Sequence, residues 1–182
     1  PEGFGPDAML GAVRLLLEAG ASVDLPVRGG NSKALNEACA SDNPRLPPRT
    51  ALVDLLLDAR ADPDLGTEIG GWTALQTAAE YGNVHVLLQL LERGAQLELA
   101  DANGRTALHW AAIRSQPTTL SALLHCGADP SARMTGTDGS RSGGPTALEL
   151  AEWEARITCR TETAGVAKAS STSAAASSSL AD

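Results

Sequence analysis

Residues 104–112 read GRTALHWAA, and residues 71–79 read GWTALQTAA. The two words start 33 residues apart. Another word keeps the same beat. Val13, Leu16 and Leu17, then Val53, Leu56 and Leu57, Leu87, Leu90 and Leu91, and Leu120, Leu123 and Leu124 all place apolar residues at i, i+3 and i+4. That spacing lays one apolar stripe along a helix. Each stripe runs into a stop: LLEAGASVD, LLDARADPD, LLERGAQLE and LLHCGADPS.

The stop has a stereochemical reading. Gly20, Gly94 and Gly127 fall where a helix C-terminus takes a left-handed residue, a conformation glycine adopts without a Cβ penalty. Arg60 fills that slot in the second stop, and a left-handed residue with a side chain costs about 1 kcal/mol. A distorted or less stable turn is expected there. The TAL word reads as a helix start, because the hydroxyls of Thr73, Thr106 and Thr146 can accept from first-turn N–H groups. Gln76 and Glu149, three residues on, can close a capping box, and His109 holds the same slot in the middle copy. The repeated unit is thus a capped helix of about eight to ten residues, a turn near Gly82 and Asn83, and a second helix ending at the glycine. Self-similarity at this period signals a solenoid.

On these residues the chain resembles the ankyrin-repeat family. That family's pattern Gly-x-Thr-Pro-Leu-His-x-Ala-Ala, followed by Leu-Leu-x-x-Gly-Ala, is matched by Gly104, Thr106, Leu108, His109, Ala111, Ala112, Leu123, Leu124, Gly127 and Ala128. The family proline is Ala at 74, 107 and 147, a mild change, since both residues suit the first helical position. The resemblance implies an all-α solenoid of stacked antiparallel helix pairs with hairpin-like loops, about three to four repeats plus partial terminal ones. The expected layout is an ankyrin-repeat domain over 1–157, with a partial repeat at 1–25, repeats at 26–65, 66–100 and 101–133, and a partial repeat at 134–157. Residues 158–182 form an Ala/Ser-rich segment too poor in apolar side chains to offset its ordering entropy, so disorder is expected.

Departures from the period mark insertions. Between the last leucines of successive stripes the intervals are 40, 34 and 33 residues. The long one contains ASDNPRLPPRT, whose three prolines forbid helix, so a bulge is expected between about 41 and 49. Seven extra residues fall in RMTGTDGSRSGGP, a Gly/Ser-rich finger expected to be flexible. No TAL helix precedes Met9, and no second apolar stripe follows Trp153. A solenoid unit hides its apolar face only against a neighbour. The chain is therefore expected to be a piece of a longer array, with a short self-capped array as the alternative.

Composition narrows the function. A net charge of −8, with 14 basic residues scattered singly, argues against a nucleic-acid surface, and a longest apolar run of six residues, Ala8 to Val13, argues against membrane insertion. Three cysteines without short spacings form neither a disulfide framework nor a zinc set, and point to an intracellular setting, cytoplasm or nucleus. His85, His109 and His125 lie at non-ligand spacings, and the finger lacks both the spacing and the lysine of a phosphate cradle. No catalytic residue, cofactor or metal is expected. The resemblance instead implies a groove formed by loop tips and the exposed side of each first helix, which grips another protein. Carried over, its positions are Ile69, Trp72, Glu80 and Tyr81, then Asn103, Arg105, Ile113 and Arg114, and finally Trp153 with Glu154. Trp110 reads as packing. Exposed Trp, Tyr and Arg dominate binding hot spots. The expectation is a scaffold or adaptor, a monomer or part of a longer chain. The alternative is the regulatory or substrate-recognition arm of a larger enzyme such as a ubiquitin-ligase receptor, a kinase or an acyltransferase. The Asn that is hydroxylated in some family members is replaced by Asp24, Asp64, Glu98 and Ser131, so no such modification is expected.

Overall fold

The computed structural model describes residues 6–25, 33–40, 49–134 and 143–153. Helices run in the order α1 (Pro6–Glu18), α2 (Ala34–Ala40), α3 (Arg49–Asp58), α4 (Ala74–Glu80), α5 (Val84–Glu92), α6 (Ala107–Ile113) and α7 (Pro117–His125). Residues 147–153 are also helical and are called α8. Three antiparallel pairs form, α2 with α3, α4 with α5 and α6 with α7. The first members stack into an inner layer, α2 on α4 on α6, and the second into an outer layer, α3 on α5 on α7. The fold is the all-α solenoid read from the repeat.

The inner helices are seven residues long, shorter than the eight to ten expected from the spacing. Their alanines explain how so little helix holds a layer. Ala74, Ala78, Ala79, Ala107, Ala111 and Ala112 are all 1% exposed or less. A methyl group costs no rotamer entropy and lets neighbouring helix backbones approach closely. The outer layer supplies bulk through Leu87, Leu90 and Leu123, each fully buried. Burying a leucine contributes about 1.5–3 kcal/mol.

Capping follows the TAL word. Thr73 Oγ1 accepts the Gln76 N–H at 3.3 Å, and Gln76 Oε1 accepts the Thr73 N–H at 3.0 Å. Glu149 closes the same box with Thr146, at 2.8 and 3.3 Å. Its pKa is lowered, first by the Thr146 backbone N–H that its carboxylate accepts. Histidine also serves: His109 Nδ1 accepts the Thr106 N–H at 3.2 Å.

Two hydrogen-bond ladders tie the repeats together. One uses the residue at the capping-box slot. Asn36 Nδ2 donates to the Trp72 carbonyl at 2.9 Å. One repeat on, Gln76 Nε2 donates to the carbonyls of Leu99 and Arg105 at 2.8 and 3.0 Å. The other ladder uses the residues that occupy the asparagine slot. Asp24 accepts the N–H of Asp62 at 3.3 Å, Asp64 that of Gln96 at 2.8 Å, and Glu98 that of Asp129 at 2.9 Å. In each case the donor follows the turn of the next repeat, so the carboxylates act as rungs.

The turn at Arg60 corrects an expectation. Arg60 is left-handed, with φ 66°. Yet the turn is not distorted. Arg60 N–H reaches Leu57 O and Ala61 N–H reaches Leu56 O, both at 3.0 Å, as Gly94 and Ala95 reach Leu91 and Leu90 at 3.1 and 3.0 Å. The paired bonds hold the loop, and the cost stays local to one φ angle.

At the N-terminal end α1 forms as its stripe predicts, but its burial differs. Leu16 is 61% exposed, whereas its counterparts Leu56, Leu90 and Leu123 are 4% or less. Among the described residues no inner helix precedes α1 to cover it. The base of the Gly/Ser finger is pinned by an antiparallel bridge between Arg133 and Thr146, with Met134 N–H on Pro145 O at 3.2 Å. Most of the proline-rich bulge, the finger's tip and the Ala/Ser tail lie outside the described residues.

Candidate partner-binding groove

Two hairpin tips and the flanks of α4 and α6 build one continuous face. The first tip closes between Thr67 N–H and Trp72 O at 2.9 Å, and the second between Asp101 N–H and Arg105 O, also at 2.9 Å. The first spans six residues and the second five, which accounts for the 34-residue interval beside the 33-residue one. Each tip is braced differently. Thr67 Oγ1 donates to Ile69 O and accepts from Trp72 N–H, at 2.8 and 3.0 Å. Asp101 Oδ1 accepts the N–H groups of Asn103 and Arg105, at 2.8 and 2.9 Å. Ala102 N–H then bonds Gly70 O at 2.9 Å and fastens one tip to the next. The face is thus a backbone cross-braced by hydrogen bonds, with side chains presented at its tips.

On this frame Ile69 is 71% exposed at the first tip, and Asn103 is exposed at the second. Trp72 and Arg105 close their tips and turn inward, both half-buried. Trp72 packs on Trp110 with ring centroids 4.4 Å apart at 57°, and the Arg105 guanidinium carbon lies 4.9 Å from the Trp110 ring centroid. The indole of Trp72 also lies close over Gly70. Trp72 therefore belongs partly to the frame.

At the other end of the inner helices, Tyr81 follows α4 with 46% exposure, and Ile113 ends α6 half-buried. Glu80 is buried, and Arg114 donates to its Oε1 from Nε at 3.0 Å and from Nη2. That carboxylate raises the Arg114 pKa. The pair joins adjacent repeats across the groove, so Glu80 spends its charge on Arg114 rather than on a partner. Trp153 is 59% exposed on α8, one repeat further along. Glu154 lies outside the described residues. Eight of the nine sites therefore fall on two neighbouring repeats.

Trp110, read from sequence as packing, is 5% exposed and does pack. It is also the platform that joins Trp72 to Arg105. The available signal was its position in the TAL word, where the earlier copy has Thr77. His109, behind it, is fully buried, and burial lowers its pKa. The carbonyls of Ala132 and Pro145 lie within electrostatic reach of the ring, yet Nε2 has no partner of standard hydrogen-bond geometry.

Residues 45–134 match the family described as ankyrin repeats, in three copies. Over that span the chain belongs to the ankyrin-repeat family, a non-catalytic fold that binds other proteins. It is 38% identical over 68 residues to ankyrin repeat and SAM domain-containing protein 6 of Mus musculus, covering 37% of this chain and 8% of that protein. It is 41% identical over 59 residues to palmitoyltransferase AKR1 of Saccharomyces cerevisiae, covering 32% and 8%. The match to SH3 and multiple ankyrin repeat domains protein 2 of Homo sapiens is 33% over 116 residues, covering 64% and 6%. The chain spans less than a tenth of the length of these curated relatives. No helix among the described residues is long and apolar enough to cross a membrane.

Proposed function

We propose that this chain is a protein-interaction module, a scaffold or adaptor that docks a protein partner in the groove of α4, α6 and their hairpin tips. One observation carries the reading. Exposed Ile69 and Tyr81 flank a Trp72–Trp110–Arg105 cluster on a backbone frame that is already cross-braced. A preformed surface with aromatic anchors loses little entropy on binding. An intracellular setting fits the exposed Cys126 thiol. The chain acts as a monomer or as part of a longer chain.

A second reading has specific support. One relative is a palmitoyltransferase of which the match covers 8%. Ankyrin repeats there accompany an enzyme, so this array can equally serve as the regulatory or substrate-recognition arm of a larger multidomain enzyme.

The test is affinity capture from a lysate of the source cells. Ile69→Ala, Tyr81→Ala and Ile113→Ala combined should cut specific capture at least about tenfold, at unchanged helical circular dichroism. Leu88→Ser, on α5 in the outer layer, should leave it intact. Unchanged capture by the triple variant, or loss with Leu88→Ser, removes the groove assignment.

A further inference from the structure

We infer that the groove selects a peptide segment bearing a carboxylate beside an apolar side chain, with the carboxylate seated on Arg105. This rests on the groove reading above.

The observation is an imbalance of charge partners. Lys33 sits 3.7 Å from Glu68, Arg93 meets Asp54 and Asp58 at 2.6 and 2.9 Å, Arg114 holds Glu80, and Arg133 lies 3.5 Å from Glu149. Arg14 and Arg60 are exposed to water. Arg105 has neither a carboxylate nor full hydration: it is half-buried on Trp110, and its Nε is buried with no acceptor. Asp101, close by in the same tip, commits Oδ1 to the N–H groups of Asn103 and Arg105 and forms no ion pair with the guanidinium. The Nε is buried beyond a ligand's reach, but the terminal nitrogens of the half-buried guanidinium carry no hydrogen bond or ion pair and can meet a carboxylate. Stacking uses the face of the guanidinium and leaves its edge for a planar, two-oxygen acceptor.

Trp72, packed on the same Trp110 ring, and Ile69, exposed on the adjoining tip, supply apolar surface near that edge, so the complementary segment pairs an Asp or Glu with an apolar neighbour. The chain as a whole carries −8. It repels acidic proteins at long range, which restricts capture to ligands that place one carboxylate correctly. A nucleic acid is the poorer fit, because phosphate tracking needs several cations in a row and this face offers one unpaired cation among the described residues.

The experiment selects displayed random peptides on the wild-type chain and on Arg105→Gln, Arg105→Glu and Arg105→Lys. The wild-type pool should concentrate Asp or Glu next to an apolar residue. Arg105→Gln should weaken the best peptide roughly 30-fold, and neutralising the peptide's acid should add no further loss on that variant. Arg105→Lys should recover part of the affinity, and Arg105→Glu should select Lys or Arg at the same peptide position. Peptides that need Ile69 and Tyr81 but show no acid preference overturn the carboxylate proposal and leave the groove reading intact. Peptides indifferent to Ile69→Ala and Tyr81→Ala, or a selection without binders, overturn both. Arg105-dependent, saturable binding of a fluorescent oligothymidylate also overturns the proposal. Thermal melts of each variant separate loss of binding from loss of fold.

Discussion

The words at 71–79 and 104–112 occupy the same backbone yet do different work. In the first, Gln76 spans the gap between repeats, accepting from Thr73 N–H and donating to two carbonyls of the next repeat. In the second, His109 accepts from Thr106 N–H, and its ring faces the Ala132 and Pro145 carbonyls of the next repeat without a hydrogen bond of standard geometry at Nε2. One residue further the contrast reverses. Thr77 Oγ1 donates to Thr73 O at 3.1 Å and accepts from Asn36 Nδ2 of the preceding repeat at 3.4 Å, while Trp110 at the same station carries both Trp72 and Arg105. The shared letters TAL and AA set the helix, and the letters that differ divide the labour. The first repeat invests in cohesion and the second in surface.

The largest expected effect tests the cohesion. Leucine keeps most of the volume of Gln76 but none of its polarity. Gln76→Leu should cost about 3 kcal/mol in urea unfolding, because it orphans Thr73 N–H and the Leu99 carbonyl in a buried layer and removes one of the two bonds to Arg105 O. His109→Leu loses one accepted bond and should cost about half as much. Equal costs would mean that the His109 ring is fully satisfied and that the two repeats are equally bound.

A smaller effect sharpens the same comparison from the other side. His109→Gln gives the second repeat the amide of the first, which can reach both Thr106 N–H and the next repeat's carbonyls. A gain of about 1 kcal/mol is expected. The change also removes a pH response. Burial lowers the folded-state pKa of His109 below its ordinary 6.5, so the unfolded chain binds the proton more readily. Stability from the neutral ring is therefore complete above about pH 6.5 and declines as pH falls through that value, with a slope of at most ~1.4 kcal/mol per pH unit. Urea midpoints at pH 7.5 and 5.5 should differ for the wild type and converge for His109→Gln. A wild type indifferent to this interval would place the ring in water.

Most of the fold was legible because a period is a redundant signal. The stripe at Leu87, Leu90 and Leu91 recurs with the glycine after it and the capping threonine before it, and each recurrence supports the others. The stripe alone did not make the exposure of Leu16 legible; only the missing TAL word before Met9 signalled it. Nor were the rungs at Asp24, Asp64 and Glu98, whose carboxylates look like solvated charges until the next repeat brings an N–H against them. Of the groove, Ile69, Asn103, Tyr81 and Arg114 lie exposed along the face expected for them. Glu80 is spent on Arg114, and Trp110 faces two neighbours from a position that reads as core. A sequence shows which side chains share a helix face, but the partner across the repeat boundary decides what each one has left to offer.

The smallest expected effect concerns the turns that join the helices within each repeat. Gly82 has φ 73°, and Ser115, 33 residues on, has φ 52°. Both turns close alike, with Asn83 N–H on Ala78 O and Gln116 N–H on Ala111 O, each at 2.9 Å. Serine bears a Cβ that the left-handed region penalises, while glycine gives up more backbone entropy on folding, and the two effects partly offset. Ser115→Gly should therefore stabilise by only about 0.5 kcal/mol. Arg60→Gly, at φ 66° in the other kind of turn, should gain about as much, because the exposed arginine loses little side-chain freedom on folding. Additivity of the two in a double variant, read from urea midpoints, would show that the strain is local at each turn. A gain confined to one site would mean that the other turn is already relaxed by its surroundings, and that the repeats differ in their joints as well as in their faces.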